Sequence, residues 1–259
     1  MTRIAHRLHQ GPLLVQRALY PEGDDMPHLY IVHPPGGVVG GDRLETLIEL
    51  GPGAEALVTT PAAQKLYRSA GAESVIQNRL CVGERAALEW LPSETIVFGG
   101  ARVNSSTLVS LDRDATFIGW EIGCFGRPSS GDDFRSGYLA QRLEIDREGQ
   151  PLLIDSFRAR GGSAFLEAPW GLRGHPVAAT LCAVARPGTP VAEIAARIRP
   201  SLPVCADVFS SVTIVDDALL FRVLGRNVEL VKAVLVQVWS ELRPGLLGRR
   251  ATEPRIWST

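Results

Sequence analysis

Acidic side chains in apolar surroundings are the groups in this chain best placed to do chemistry, and the chemistry they offer is the holding of cations. Glu121 follows Trp120 within Phe117-Ile118-Gly119-Trp120-Glu121-Ile122-Gly123-Cys124-Phe125, a stretch apolar on both faces of a strand. Asp155 sits likewise in Leu152-Leu153-Ile154-Asp155-Ser156-Phe157. An ionised carboxylate in a dry interior is too costly to keep unpaired, so each should meet a cation, hydrogen-bond donors, or water in a cavity. Arginine is the ordinary partner, and Arg102, Arg127, Arg158 and Arg160 lie close enough in sequence to serve.

A third carboxylate, Asp42, closes His33-Pro34-Pro35-Gly36-Gly37-Val38-Val39-Gly40-Gly41-Asp42. Pro34 and Pro35 remove two backbone donors, while Gly36, Gly37, Gly40 and Gly41 open dihedrals closed to other residues, so this is tight loop with backbone approaching something closely. The glycine spacing mimics a phosphate-binding loop, but Asp42 stands where the lysine should be and would repel phosphate. A turn in which Asp42 caps its own backbone is the competing reading. Lys65, Tyr67 and Arg68 form a mixed cationic and aromatic patch, either a binding edge or a solvated turn. His6 and His9 have the spacing of two metal ligands on one helix face but no third ligand nearby. Neither Gly-x-Ser-x-Gly nor Ser-x-x-Lys nor His-Glu-x-x-His occurs, so the common hydrolase signatures fail.

The elements that must position these groups are mostly strands. Leu44 to Leu50, Ala54 to Thr60, Ile76 to Val82, Ala86 to Leu91, Thr95 to Phe98, Thr107 to Leu111, Thr116 to Phe125, Leu139 to Asp146 and Leu152 to Phe157 alternate with turn clusters, the spacing of a sandwich, barrel or β-solenoid. After Gly161-Gly162 a strand is predicted over Val177 to Val184, then a helix from Thr189-Pro190 that stops before Pro200. A hairpin turns at Asp216-Asp217. A second helix, capped by Asn227, runs until Pro244-Gly245. The expected architecture is mainly β. Its β body covers about 1–160, and further strands with two helices cover about 161–259. Ile256 and Trp257 so near the end imply that the tail docks on something.

A chain of 259 residues can bury most of a core without disulfides. With 27 basic against 28 acidic residues it carries no field that would favour nucleic acid or anionic lipid. Cys81, Cys124, Cys182 and Cys205 are widely separated and read as small buried hydrophobes rather than a zinc site or disulfide framework. The N-terminus lacks the apolar run of a signal peptide, and no segment has membrane-spanning length, so cytoplasm is the default.

Several motifs in one order resemble the urease accessory protein UreD family, called UreH in some organisms. They are the His33 to Asp42 loop, Lys65-Leu66-Tyr67-Arg68-Ser69, Leu88-Glu89-Trp90-Leu91-Pro92, Trp120-Glu121, Gly126-Arg127-Pro128 and Pro254-Arg255-Ile256-Trp257. The match runs from about Gly11 to Trp257. It implies a mainly β, β-helix-like stack of sheets with two helices in the C-terminal half, a single domain over residues 1–259, that is not an enzyme and holds no tightly bound cofactor. It also implies that the chain binds UreF, joins the GTPase UreG through it, and docks on apo-urease to help deliver Ni2+. A water-filled tunnel for nickel is proposed in the family, with carboxylates at positions matching Asp42, Glu121 and Asp155. Lys65, Tyr67, Arg68, Arg255 and Trp257 are candidate partner contacts.

Scattered carboxylates and water hold nickel more weakly than imidazole or thiolate would, which suits passage. An acid-ringed channel of low dielectric also concentrates cations. The expectation is therefore that Asp42, Glu121 and Asp155 line one hydrated path. Family members carry a further segment before Gly11, so the opening strand pair is expected to be missing or the start codon assigned too late. Gly131-Asp132-Asp133-Phe134 replaces a Gly-Glu pattern and shortens one acidic arm. The rival readings are a pure adaptor through which no nickel passes and a β-solenoid carbohydrate-active enzyme such as an acidic-site polysaccharide lyase.

Overall fold

The computed structural model describes residues 1–203 and 207–258, so Cys205 lies outside the described residues. Its first half is a winding of short strands between two sheets. β1 (Leu14–Val15) pairs antiparallel with β2 (His28–Val32), after which the chain crosses to β3 (Arg43–Leu50). One coil follows through β4 (Glu55–Thr59), β5 (Gln64–Leu66) and β6 (Ser74–Val82), and another through β7 (Ala87–Leu91), β8 (Thr95–Val97) and β9 (Arg102–Leu111). β10 (Thr116–Phe125) and β11 (Tyr138–Arg147) close the winding before β12 (Gln150–Arg160) turns back antiparallel. Because each coil lays its strands on the last, β2, β4, β7 and β10 run parallel in one sheet and β3, β6, β9 and β11 in the other. This is the mainly β, β-solenoid-like arrangement that the family resemblance implies and one of the three that the turn spacing allows.

The second half extends the first sheet instead of building another body. β13 (Val177–Val184), β15 (Ala218–Gly225) and β14 (Val208–Val215) add antiparallel to β10, giving the order β1-β2-β4-β7-β10-β13-β15-β14. The opposing sheet has the order β12-β11-β9-β6-β3. Helix α1 (Val191–Ile198) and helix α2 (Val228–Leu247) cover the first sheet's outer face. There Val231, Leu235, Val238 and Trp239 bury against Ile118, Trp120 and Leu181. Asn227 caps α2 by accepting from the Leu230 N–H at 2.9 Å, as its residue type predicts.

Two expectations fail, the end of the second helix and the burial of the cysteines. Helix α2 does not stop at Pro244; it continues to Leu247 and ends where Gly248 turns left-handed at φ 66°. Proline removes one helical hydrogen bond there, and the anchorage of the preceding Arg243, described below, holds the chain through the defect. The chain's own first strand pair, β1 with β2, begins at Leu14, after Gly11. Cys81 is exposed on β6, Cys124 is half-buried, and only Cys182 of the described cysteines is buried. His6 and His9 are exposed in a segment with no helix, in keeping with the missing third ligand.

Candidate functional site

Strand register places the acids. On β10 the side chains facing the opposite sheet are Phe117, Glu121 and Phe125, with Gly119 and Gly123 between them. The rings of Phe117 and Phe125 fold over Gly119 and Gly123 and take the space that side chains would need there, so Glu121 is held between two aromatic rings on its own strand. In register with it stand Thr180 of β13, Arg222 of β15 and Ser211 of β14. Across the gap, the row through β12, β11, β9, β6 and β3 reads Asp155, Leu143, Thr107, Asn78 and Thr46. These facing rows form a polar layer between two apolar clusters, one built around Leu80, Val109 and Phe117 and the other around Leu44, Val103 and Phe125.

A cavity of about 590 Å³ opens in this layer, lined among others by Thr107, Glu121, Asp155, Thr180 and Arg222. Glu121 accepts a 2.9 Å hydrogen bond from the Thr107 hydroxyl, and Thr107 in turn accepts at 3.3 Å from the Asn78 amide. No cation pairs with Glu121 among the described residues. Burial therefore pushes its carboxyl above the ordinary value, the Thr107 bond opposes this, and the charge of Asp155 adds to it. Asp155 is neutralised from an unexpected direction, by Arg222 Nη2 at 2.8 Å. The arginines near in sequence do not serve. Arg127 reaches Asp132 at 3.6 Å, and Arg102, Arg158 and Arg160 line a separate groove on the outside of the sheet. The pair that does form spans the two sheets, a proximity invisible along the chain.

Asp42 is not brought to this cavity. Its Oδ2 accepts from the Val39 N–H at 2.9 Å and its own N–H donates to the Val39 carbonyl at 3.1 Å, so the carboxylate braces its own turn. The close approach signalled by the glycines is to the neighbouring coil. Val38 N–H donates to Lys65 O at 2.7 Å, and Tyr67 N–H returns to Val38 O at 2.9 Å. A Cβ on Gly37 would collide with the Tyr67 ring and one on Gly40 with the Ser69 hydroxyl. Gly36 and Gly41 take positive φ, while Pro34 and Pro35 open the turn. The His33 loop and the Lys65 patch are thus one packed unit, from which Lys65 and Arg68 project into solvent. Tyr67 meets Phe98 edge to face at 4.9 Å. Asp132 is likewise structural, accepting from the Gly99 N–H at 2.9 Å.

The tail docks on its own chain. Trp257 packs tilted against Trp120 and edge to face against Trp239, with centroids 5.3 and 5.5 Å apart, and its indole N–H donates to Thr59 Oγ1 at 3.0 Å; Arg255 is exposed. Beside it lies a buried charge cluster that sequence reasoning missed. Arg243 and Glu89 are both fully buried, joined at 2.8 Å, and Arg243 also reaches Glu22 at 2.9 Å and the Arg250 carbonyl. Glu89 further accepts from the Trp239 indole, and Glu22 is in contact with His28 at 2.8 Å. Burial would raise Glu22, but hydrogen bonds from His28 and Arg243 hold it below the ordinary value. Glu89 within Leu-Glu-Trp-Leu was a visible signal, since it interrupts an apolar strand as Glu121 does.

Among the described residues, no three His, Cys, Asp or Glu side chains converge to hold a metal ion. The fold and the cavity together define a β-solenoid-like protein whose candidate chemistry is carried by dispersed oxygen ligands. Sequence comparison places it: the chain belongs to the UreD urease accessory protein family, whose model matches residues 1–258. It is 45% identical over 259 residues to the urease accessory protein UreD of Azoarcus sp. (strain BH72), all of this chain and 89% of that one being covered. It is 42% identical to the UreD proteins of Alkalilimnicola ehrlichii and Alcanivorax borkumensis, covering 87% and 86% of them. No helix among the described residues is long and apolar enough to cross a membrane.

Proposed function

We propose that this urease accessory protein is a non-enzymatic, cytoplasmic scaffold that also passes nickel, as cargo, between its two sheets. Binding to UreF, through it to UreG, and to apo-urease follows from the family reading, and the conduit from the cavity. The observation that carries the conduit is the unpaired Glu121 carboxylate beside Asp155 in a polar layer with apolar clusters above and below. Oxygen donors of this kind bind a divalent ion loosely enough to release it. A raised carboxyl pKa lets an arriving cation exchange with a proton. Asp155, tethered to Arg222, is the second stop. Asp42, outside this cavity, acts by holding the loop against Tyr67.

The test is activation of urease in cells carrying Glu121→Gln and Asp155→Asn. The expected result is low urease activity, restored in part by excess nickel, with the UreF complex recovered in normal yield. Full activity in the double variant leaves only the adaptor reading, and loss of the complex would mean that the acids act through folding.

A further inference from the structure

We infer that the outer face at the β12 edge, beside the mouth of the acid-lined cavity, is a docking surface for an acidic protein segment carrying an apolar side chain. The inference uses none of the cavity carboxylates and does not depend on nickel passage.

Strand register assembles the surface. Arg102, Tyr138 and Arg160 stand side by side across β9, β11 and β12, and the next row of the same face is Asn104, Ala140 and Arg158. These residues line a groove of about 990 Å³ whose lining includes three arginines and no carboxylate. Among the described residues, the Arg158 and Arg160 side chains make no hydrogen bond or ion pair, and Arg102 lies over the Tyr138 ring at 5.7 Å. Glu73 stands beside the groove, its Oε2 accepting from the Tyr138 hydroxyl at 2.5 Å, and its charge offsets part of that of the three arginines. In a chain of net charge −1, this positive charge is local rather than a general bias.

The apolar half adjoins it. Phe165 lines both the groove and the cavity, and Trp170 stacks on Phe165 at 5.8 Å while remaining 75% exposed. An exposed tryptophan beside unpaired arginines has the composition of an interface hot spot.

Charge complementarity selects the occupant. A nucleic acid needs a continuous track of cations, yet further along the same sheet face Glu144 takes up Arg142 and the next register row reads Asp146, Ser110, Cys81 and Glu49. A compact acidic segment can seat its carboxylates on Arg158 and Arg160 and its apolar residue on Trp170 without meeting those acids.

The test uses the full chain and a fluorescein-labelled peptide of aspartates and glutamates around one leucine, followed by fluorescence anisotropy at low salt. Binding should weaken as salt rises, fall at least about tenfold in the Arg158→Glu, Arg160→Glu double variant, and fall several-fold in Trp170→Ala. Arg113→Glu, an exposed charge on the β9–β10 turn, should bind as wild type does. Absence of peptide binding, or equal binding by the double variant, would overturn the inference. So would tighter binding of a single-stranded oligonucleotide, or displacement of the peptide by millimolar phosphate.

Discussion

Arg222 Nη2 lies 2.8 Å from Asp155 Oδ1, joining β15 of one sheet to β12 of the other across the mouth of the cavity. Arg222 competes with any cation for that carboxylate. In Arg222→Met, Asp155 is released, and nickel binding measured by titration calorimetry should tighten. The arginine is 49% exposed, so unfolding free energy should fall by no more than about 1 kcal/mol. Unchanged nickel affinity would remove Asp155 from the path.

Glu121 supplies a pH signature. Its carboxyl is raised above the ordinary 4.5 in the folded chain, so its contribution to stability is fully present below 4.5 and is lost as pH rises through the folded value. Glu121→Gln cannot ionise and should unfold at a higher temperature than wild type at about pH 8, with the difference gone at about pH 4. A wild type more stable than the variant at pH 8 would mean that the acid is paired after all.

The Arg243–Glu89 pair predicts a strong asymmetry. Arg243→Met strands the buried Glu89 carboxylate and should cost roughly 3–5 kcal/mol in urea unfolding. Adding Glu89→Leu should recover a substantial part, because the uncompensated charge is then gone. Equal destabilisation by single and double variants would show that packing of α2, not charge, is what Arg243 supplies.

Gly37 reports the loop contact. Gly37→Ala should destabilise by about 1–3 kcal/mol through collision with the Tyr67 ring. Tyr67→Ala in the same chain should relieve much of that loss, and no relief would place the strain elsewhere.

Much of the fold was legible because local rules decide it. β10 and β13 match their sequence bounds, since apolar runs between turn residues leave few alternatives, and Asn227 begins α2 where its side chain can cap. Short β1, β2 and β5 were missed because their pattern is set by neighbouring coils. Glu121 and Asp155 were picked out by burial cost alone, and the structure puts them in one cavity. What the chain order conceals is partnership across sheets. Arg222 is 67 residues from Asp155, and Arg243 is 154 from Glu89. Asp42 misled because its setting is equally that of a turn brace, which is what it does.

The central claim, passage of nickel between the sheets, is tested most directly by anomalous diffraction at the nickel edge from crystals of this chain soaked in Ni2+. The account predicts a peak among Glu121, Thr107 and Asp155 that vanishes in Glu121→Gln. A cavity without a peak, with nickel only at exposed groups such as His6 and His9, would contradict it.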